Sequence, residues 1–89
     1  MPDVTAVRTL GGYRVHLEFA DGVAGDLDLD ELITFRGVFA SLQDEAEFAR
    51  VRVDPELGTI AWPGGADLCP EVLYARVTGK AIEDTASNG

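Results

Sequence analysis

The sequence is poor in the residues that most often carry chemistry. It has one cysteine, one histidine, one tryptophan and one methionine in 89 residues. One cysteine excludes an intramolecular disulfide and any zinc site built on several cysteines. It fits a reducing compartment. One histidine and one cysteine cannot make a usual zinc site without several carboxylates. Basic residues are scarce too, with 7 Lys and Arg against 16 Asp and Glu, for a formal net charge of −9. Nucleic-acid binding depends on Lys and Arg to neutralise phosphates, so direct nucleic-acid binding is not expected. A basic protein partner suits this balance, and the charge would speed its association. An acidic surface that serves solubility alone has the same composition. No apolar run approaches the roughly 20 residues that cross a membrane. Met1-Pro2-Asp3-Val4 has neither a basic n-region nor an apolar h-region. No signal peptide is expected, and the expected location is cytoplasmic with no membrane partner.

What is present suits one small globular domain. The hydrophobic fraction, 46%, supports a core and is too high for a wholly disordered chain. A chain of this size buries only about 60–65% of its unfolded surface. The domain is expected over residues 1–79. Beyond it, Ala81 and Ile82 are the last apolar pair, and residues 80–89 read as a disordered polar tail.

Taken in order, the pattern predicts an α+β fold. Val4 to Leu10 is β-prone with imperfect alternation. Gly11-Gly12 is a hairpin signal. Tyr13, Val15, Leu17 and Phe19 alternate with Arg14, His16 and Glu18, which places the first set on a core. Asp21-Gly22 marks a second turn, and Val23 to Leu29 a third strand with Asp26 and Asp28 on its polar face. These strands make an antiparallel meander. Asp30 is a candidate cap for a helical turn through Ile33. Val38, Phe39 and Leu42 follow at near-helical spacing, and Asp44 to Arg50 reads as a short helix carrying Phe48 inward. Val51 to Val53 and Thr59 to Trp62 predict a second hairpin around Asp54-Pro55. Pro63-Gly64-Gly65 then forces a turn. Asp67 precedes a capped helix over Pro70 to Val77, with Val72, Leu73 and Val77 toward the sheet and Gly79 as its stop.

Candidate chemistry is thin. His16 could be a general base, but no nucleophile is linked to it, and a strand residue facing solvent explains it better. Cys69, ahead of a helix N-terminus, could be a nucleophile. A small packed hydrophobe is the better reading. Asp26, Asp28, Asp30 and Glu31 lack the spacing of a calcium loop and read as a solvated strand edge. No catalytic residue, cofactor or metal is expected. Trp62 and Tyr74 could form a partner-binding patch, because both types are enriched in hot spots. Alternatively, Trp62 plugs the core.

The order of these pieces resembles a family of short bacterial domains known as domain of unknown function 2442. The matching residues are Tyr13 to Phe19 with Asp21-Gly22, and Asp28-Leu29. Val38-Phe39 with Leu42 and Asp44 follow, then Phe48 before Val51 to Asp54, and Gly58-Thr59-Ile60. The most specific stretch runs from Trp62-Pro63 through Gly65, Asp67-Leu68 and Pro70-Glu71 to Leu73-Tyr74. The resemblance covers residues 3–78. Cys69 departs from the small residue, often Ala, expected there, which weakens a thiol mechanism.

The resemblance implies a small α+β domain with no known activity. Such domains occur alone or ahead of a helix-turn-helix domain. Those that stand alone look like half of a two-gene cassette, beside a small domain with a suspected toxin role. Residues 80–89 leave no room for a helix-turn-helix, so a stand-alone partner protein is expected. The expected function is non-enzymatic protein interaction, antitoxin-like or regulatory, with a small basic partner or a second copy of the chain. The partner-binding candidates are Trp62, Asp67, Glu71, Tyr74, Asp26 and Asp28, with Asp44, Glu45 and Glu47 extending the acidic face. The alternative is a small-ligand or enzymatic site in the Trp62 to Tyr74 region, lined by Asp67, Glu71 and Tyr74.

Overall fold

A computed structural model describes residues 2–79. The tail expected from Lys80 onward lies outside the described residues. The fold is α+β, as the patterning predicts. Strands β1 (Val4–Gly11), β2 (Arg14–Phe19) and β3 (Ala24–Asp28) form an antiparallel sheet in the order β1-β2-β3. Strands β4 (Arg52–Asp54) and β5 (Thr59–Ala61) form a separate hairpin. Two 3₁₀ segments, Leu29–Glu31 and Gly37–Gln43, and the single-turn helix α1 (Glu45–Phe48) link the sheets. Helix α2 (Pro70–Thr78) closes the described chain.

The period-two pattern of β2 is realised in full. Val15, Leu17 and Phe19 are buried, while Arg14 and Glu18 are exposed. They meet Leu29, Leu42, Phe48, Ile60, Trp62 and Leu73 in one core. Strand β1 alternates poorly because its register shifts twice, between Val4 and Ala6 and between Thr9 and Gly11. Each irregularity adds a residue to one strand and resets which face follows. The second shift also moves the first turn. Gly11 pairs with Arg14, so the turn is Gly12-Tyr13 rather than Gly11-Gly12. The second turn is a residue longer than expected. Phe19 N–H donates to the Val23 carbonyl at 2.8 Å, closing Ala20, Asp21 and Gly22 between them.

Capping also differs from expectation. The first 3₁₀ segment begins at Leu29, and its cap is Asp28, whose Oδ1 accepts from Asp30 N–H at 3.1 Å. Asp44 caps α1 through Ala46 N–H at 3.0 Å, and α1 ends at Phe48, short of Arg50. Helix α2 has no side-chain cap at all. Its N-cap position is Cys69. Asp67 lies too far upstream and instead forms a bridge with Ala61. Pro70 and Glu71 occupy the first turn, as a helix N-terminus favours. Gly79 ends the helix in a left-handed conformation, φ 78°, which a Cβ would disfavour.

The stretch after β5 folds back on it. Trp62 N–H donates to the Ala66 carbonyl at 2.9 Å across the Pro63-Gly64-Gly65 turn. Thr59 Oγ1 donates to the Leu68 carbonyl at 2.6 Å. This return sets the start of α2, which then crosses the inner face beneath β3. Leu73, Tyr74 and Val77 pack on the core from α2, with Tyr74 in the place expected of Val72.

Candidate functional site

The outer face of the meander is a lattice of charges fixed by strand register. His16 on β2 lies between Arg8 on β1 and Asp26 on β3. Its Nδ1 is 2.8 Å from Asp26 Oδ1, and its Nε2 is 3.4 Å from Glu18 Oε2. Arg14 lies opposite Asp28 in the same register. Asp26 and Asp28 therefore share a face, as the alternation predicts. Each already has local work, Asp26 with His16 and Asp28 as a cap. His16 is held between the carboxylates of Asp26 and Glu18.

A second acidic group forms around Tyr13. The Tyr13 hydroxyl donates to the Gln43 carbonyl at 2.7 Å. Its ring packs on Phe35 at 5.2 Å and edge-on to Phe48 at 4.8 Å. Desolvation pushes the phenol pKa up, and the charges of Glu45, Asp30 and Asp44 push it further the same way. The Tyr13 carbonyl accepts from Leu29 N–H at 2.9 Å, so this residue bonds the chain beside Asp30 and, through Gln43, the chain beside Asp44 and Glu45. Asp30 comes from the first 3₁₀ segment, and Asp44 and Glu45 from the start of α1. All three are exposed.

The residues of the Trp62 to Tyr74 region do not make one surface. Trp62 is only 2% exposed. Its Nε1–H donates to the Phe48 carbonyl at 2.8 Å, and its ring lies 5.6 Å from that of Phe48. The core reading of Trp62 therefore holds, and it presents no face to a partner. Tyr74 points elsewhere. Its ring stands edge-on to Phe19 at 5.0 Å, and its hydroxyl donates to Asp21 Oδ2 at 2.6 Å. That bond, then the Val23 N–H, lowers the Asp21 pKa. The same bond raises the Tyr74 pKa, with burial and the Asp21 charge adding to it. Asp67 and Glu71 are exposed. Cys69 is exposed as well, which corrects its expected packing as a small hydrophobe.

Among the described residues, no three His, Cys, Asp or Glu side chains are grouped to hold a metal ion. None of their helices is long and apolar enough to cross a membrane. The model of a protein family described as a protein of unknown function, DUF2442, matches residues 4–79. The chain belongs to the DUF2442 family. No curated protein and no solved structure matches it significantly. The DUF2442 match spans the sheet, the hairpin and α2, so every feature above lies inside the family's domain.

Sequence reading missed two anchors of this DUF2442 domain. Tyr13 read as a core strand residue, yet it lies in the first turn and its hydroxyl holds the Gln43 carbonyl. Asp21 read as half of an Asp-Gly turn, yet it holds α2 through Tyr74. Only the Asp-Gly pair was a usable signal, because a turn aspartate has a second carboxylate oxygen free to bind.

Proposed function

We propose that this DUF2442 domain is a non-enzymatic interaction module whose acidic surface docks a small basic protein. One observation carries the reading: Tyr13 bonds Leu29, next to Asp30, through its carbonyl and Gln43, next to Asp44 and Glu45, through its hydroxyl, so acidic residues of separate elements meet at one residue. Bringing like charges together costs folding free energy, which a complementary partner would recover on binding. Two of these elements are tied to the core. Leu29 and Phe48 are each fully buried, and the Tyr13–Gln43 bond joins the meander to the second 3₁₀ segment, just ahead of α1. The charges are therefore presented on a fixed frame, which limits the ordering cost of association. The two-gene arrangement implied by the family resemblance makes the neighbouring gene's product the first partner to try. An antitoxin-like role would be one form of such pairing.

The test is co-expression of this chain with its basic neighbour, followed by size exclusion. A co-eluting complex is expected. The pair Asp30→Asn and Glu45→Gln should weaken it while leaving the fold intact, since neither side chain caps a helix. No complex with any basic neighbour, or tight binding of this chain alone to DNA, contradicts the reading.

A further inference from the structure

Strand β3 is the last strand of its sheet, and its outer edge is open among the described residues. Hydrogen bonding in an antiparallel pair alternates between bonded and non-bonded residue pairs. Both ends of the β2–β3 ladder are bonded: Phe19 N–H to the Val23 carbonyl at 2.8 Å and Leu29 N–H to the Tyr13 carbonyl at 2.9 Å. With the register Leu17↔Gly25 and Val15↔Leu27, Gly25 and Leu27 must be the bonded residues between those ends. The backbone N–H and C=O groups of Ala24, Asp26 and Asp28 therefore point away from β2. No described group bonds to the three N–H groups or to the carbonyls of Ala24 and Asp26, whereas the Asp28 carbonyl, at the N-cap, takes the first bond of the 3₁₀ segment; all three residues are exposed. The opposite edge is different: Val4 N–H of β1 donates to the Gly58 carbonyl at 2.9 Å.

We propose that this edge takes up an extended basic segment of a partner protein as a fourth strand, paired to Ala24, Asp26 and Asp28. This rests on the proposal of a basic partner and says how that partner is held. Backbone bonds would supply the attachment, as in strand addition to sheet edges elsewhere. Alternate side chains supply the specificity. On the outer face the incoming strand meets Asp26 and Asp28, so that row calls for Lys or Arg. On the inner face it continues beside Val23 and Leu27. These are only partly buried, while Leu17 on the next strand is fully buried, so that row calls for apolar residues. A second copy of the chain fits badly. Antiparallel pairing of β3 with itself about Asp26 sets Asp26 against its own copy, and directly opposed like charges destabilise a sheet. The aspartates thus refuse self-pairing and leave the edge to a strand of opposite charge.

The test is backbone amide NMR on the full chain, titrated with a capped seven-residue peptide alternating valine and lysine. The free chain should exchange the amides of Ala24, Asp26 and Asp28 faster than those of Gly25 and Leu27. Peptide should protect the first three and leave the other two unchanged. That alternation distinguishes a paired strand from loose charge attraction. A peptide alternating valine and glutamate should not bind. Asp26→Asn should weaken the lysine peptide roughly two- to fivefold, the worth of one cross-strand charge pair. Ala24→Pro removes one outward N–H that the meander does not use and should abolish protection at the edge. If that variant does not fold, the alternation in the unaltered chain still decides. Edge amides already protected in the free chain, protection without alternation, or equal binding of the glutamate peptide would overturn the proposal. A basic neighbour that binds without protecting the β3 edge refutes this inference and leaves the proposed function standing. Peptide protection with no binding neighbour does the reverse.

Discussion

Trp62 ties the α1 turn to the β5 return through both its ring and its indole N–H. Replacing it with Ala removes the largest buried side chain and one of the two donors to the Phe48 carbonyl, leaving Val51 N–H as the other. The expected cost is about 3–5 kcal/mol, a large part of the roughly 5–15 kcal/mol that holds a small domain folded. Trp62→Phe keeps a ring but not the donor, and should cost less. Urea unfolding of the two variants checks both the size and the order. A Trp62→Ala protein that melts with the unaltered chain would mean that the ring does not fill the core.

Tyr74 and Asp21 link the middle of α2 to the second turn, and their bond makes a prediction in pH. The Asp21 pKa is lowered in the folded state. Its contribution is therefore complete above the ordinary carboxylate pKa and is lost as pH falls through the lowered value. The Tyr74 pKa is raised. Its contribution is complete below the ordinary phenol pKa and is lost as pH rises through the raised value. Tyr74→Phe should bring the Asp21 titration back up toward the ordinary carboxylate value. Carboxyl NMR titration of the two proteins reads this directly. An Asp21 titration that ignores the substitution would show that the bond does not set it.

At the scale of the elements, α2 is seated by a missing side chain. Gly25 faces inward on β3, and a Cβ there would stand 2.8 Å from Val77 Cγ1. Valine is branched at Cβ and has few rotamers with which to yield. Gly25→Ala should therefore destabilise by about 1–3 kcal/mol, the usual cost of overpacking. Adding Val77→Ala should recover part of that loss, giving a non-additive pair in thermal melts. Strictly additive effects would mean that α2 does not rest on Gly25.

The elements also show where sequence reasoning stops. The β2 faces were legible because an uninterrupted period of two has one meaning. The β1 faces were not, because a bulge leaves no mark in composition, and it also moved the turn to Gly12-Tyr13. Caps were legible as a residue type but not as a position. Asp28 and Asp30 are equally good caps on paper, and the end of the ladder at Leu29 chose between them. The exposure of Cys69 was hidden for a similar reason. Its residue type suggested packing at the helix entry, but its place ahead of α2 leaves it facing out.

For the whole molecule, composition alone yielded the sign of the charge and nothing of its arrangement. Asp26 and Asp28 were identifiable as one face from their spacing. The meeting of Asp30, Asp44 and Glu45 at Tyr13 was not, because it depends on how the core draws Leu29 and Phe48 together. Charges at the rim of an interface act mainly on the association rate, and buried contacts on the dissociation rate. The most direct measurement is therefore stopped-flow mixing of this domain with the proposed basic partner, the neighbouring gene's product, at low salt and at about 0.5 M, where screening is strong. Association should slow steeply as salt rises. In the variant carrying Asp30→Asn and Glu45→Gln it should begin slower and depend less on salt, with dissociation nearly unchanged. An association rate that is the same at both salt concentrations, or unaltered by the two substitutions, would contradict a docking role for this acidic surface.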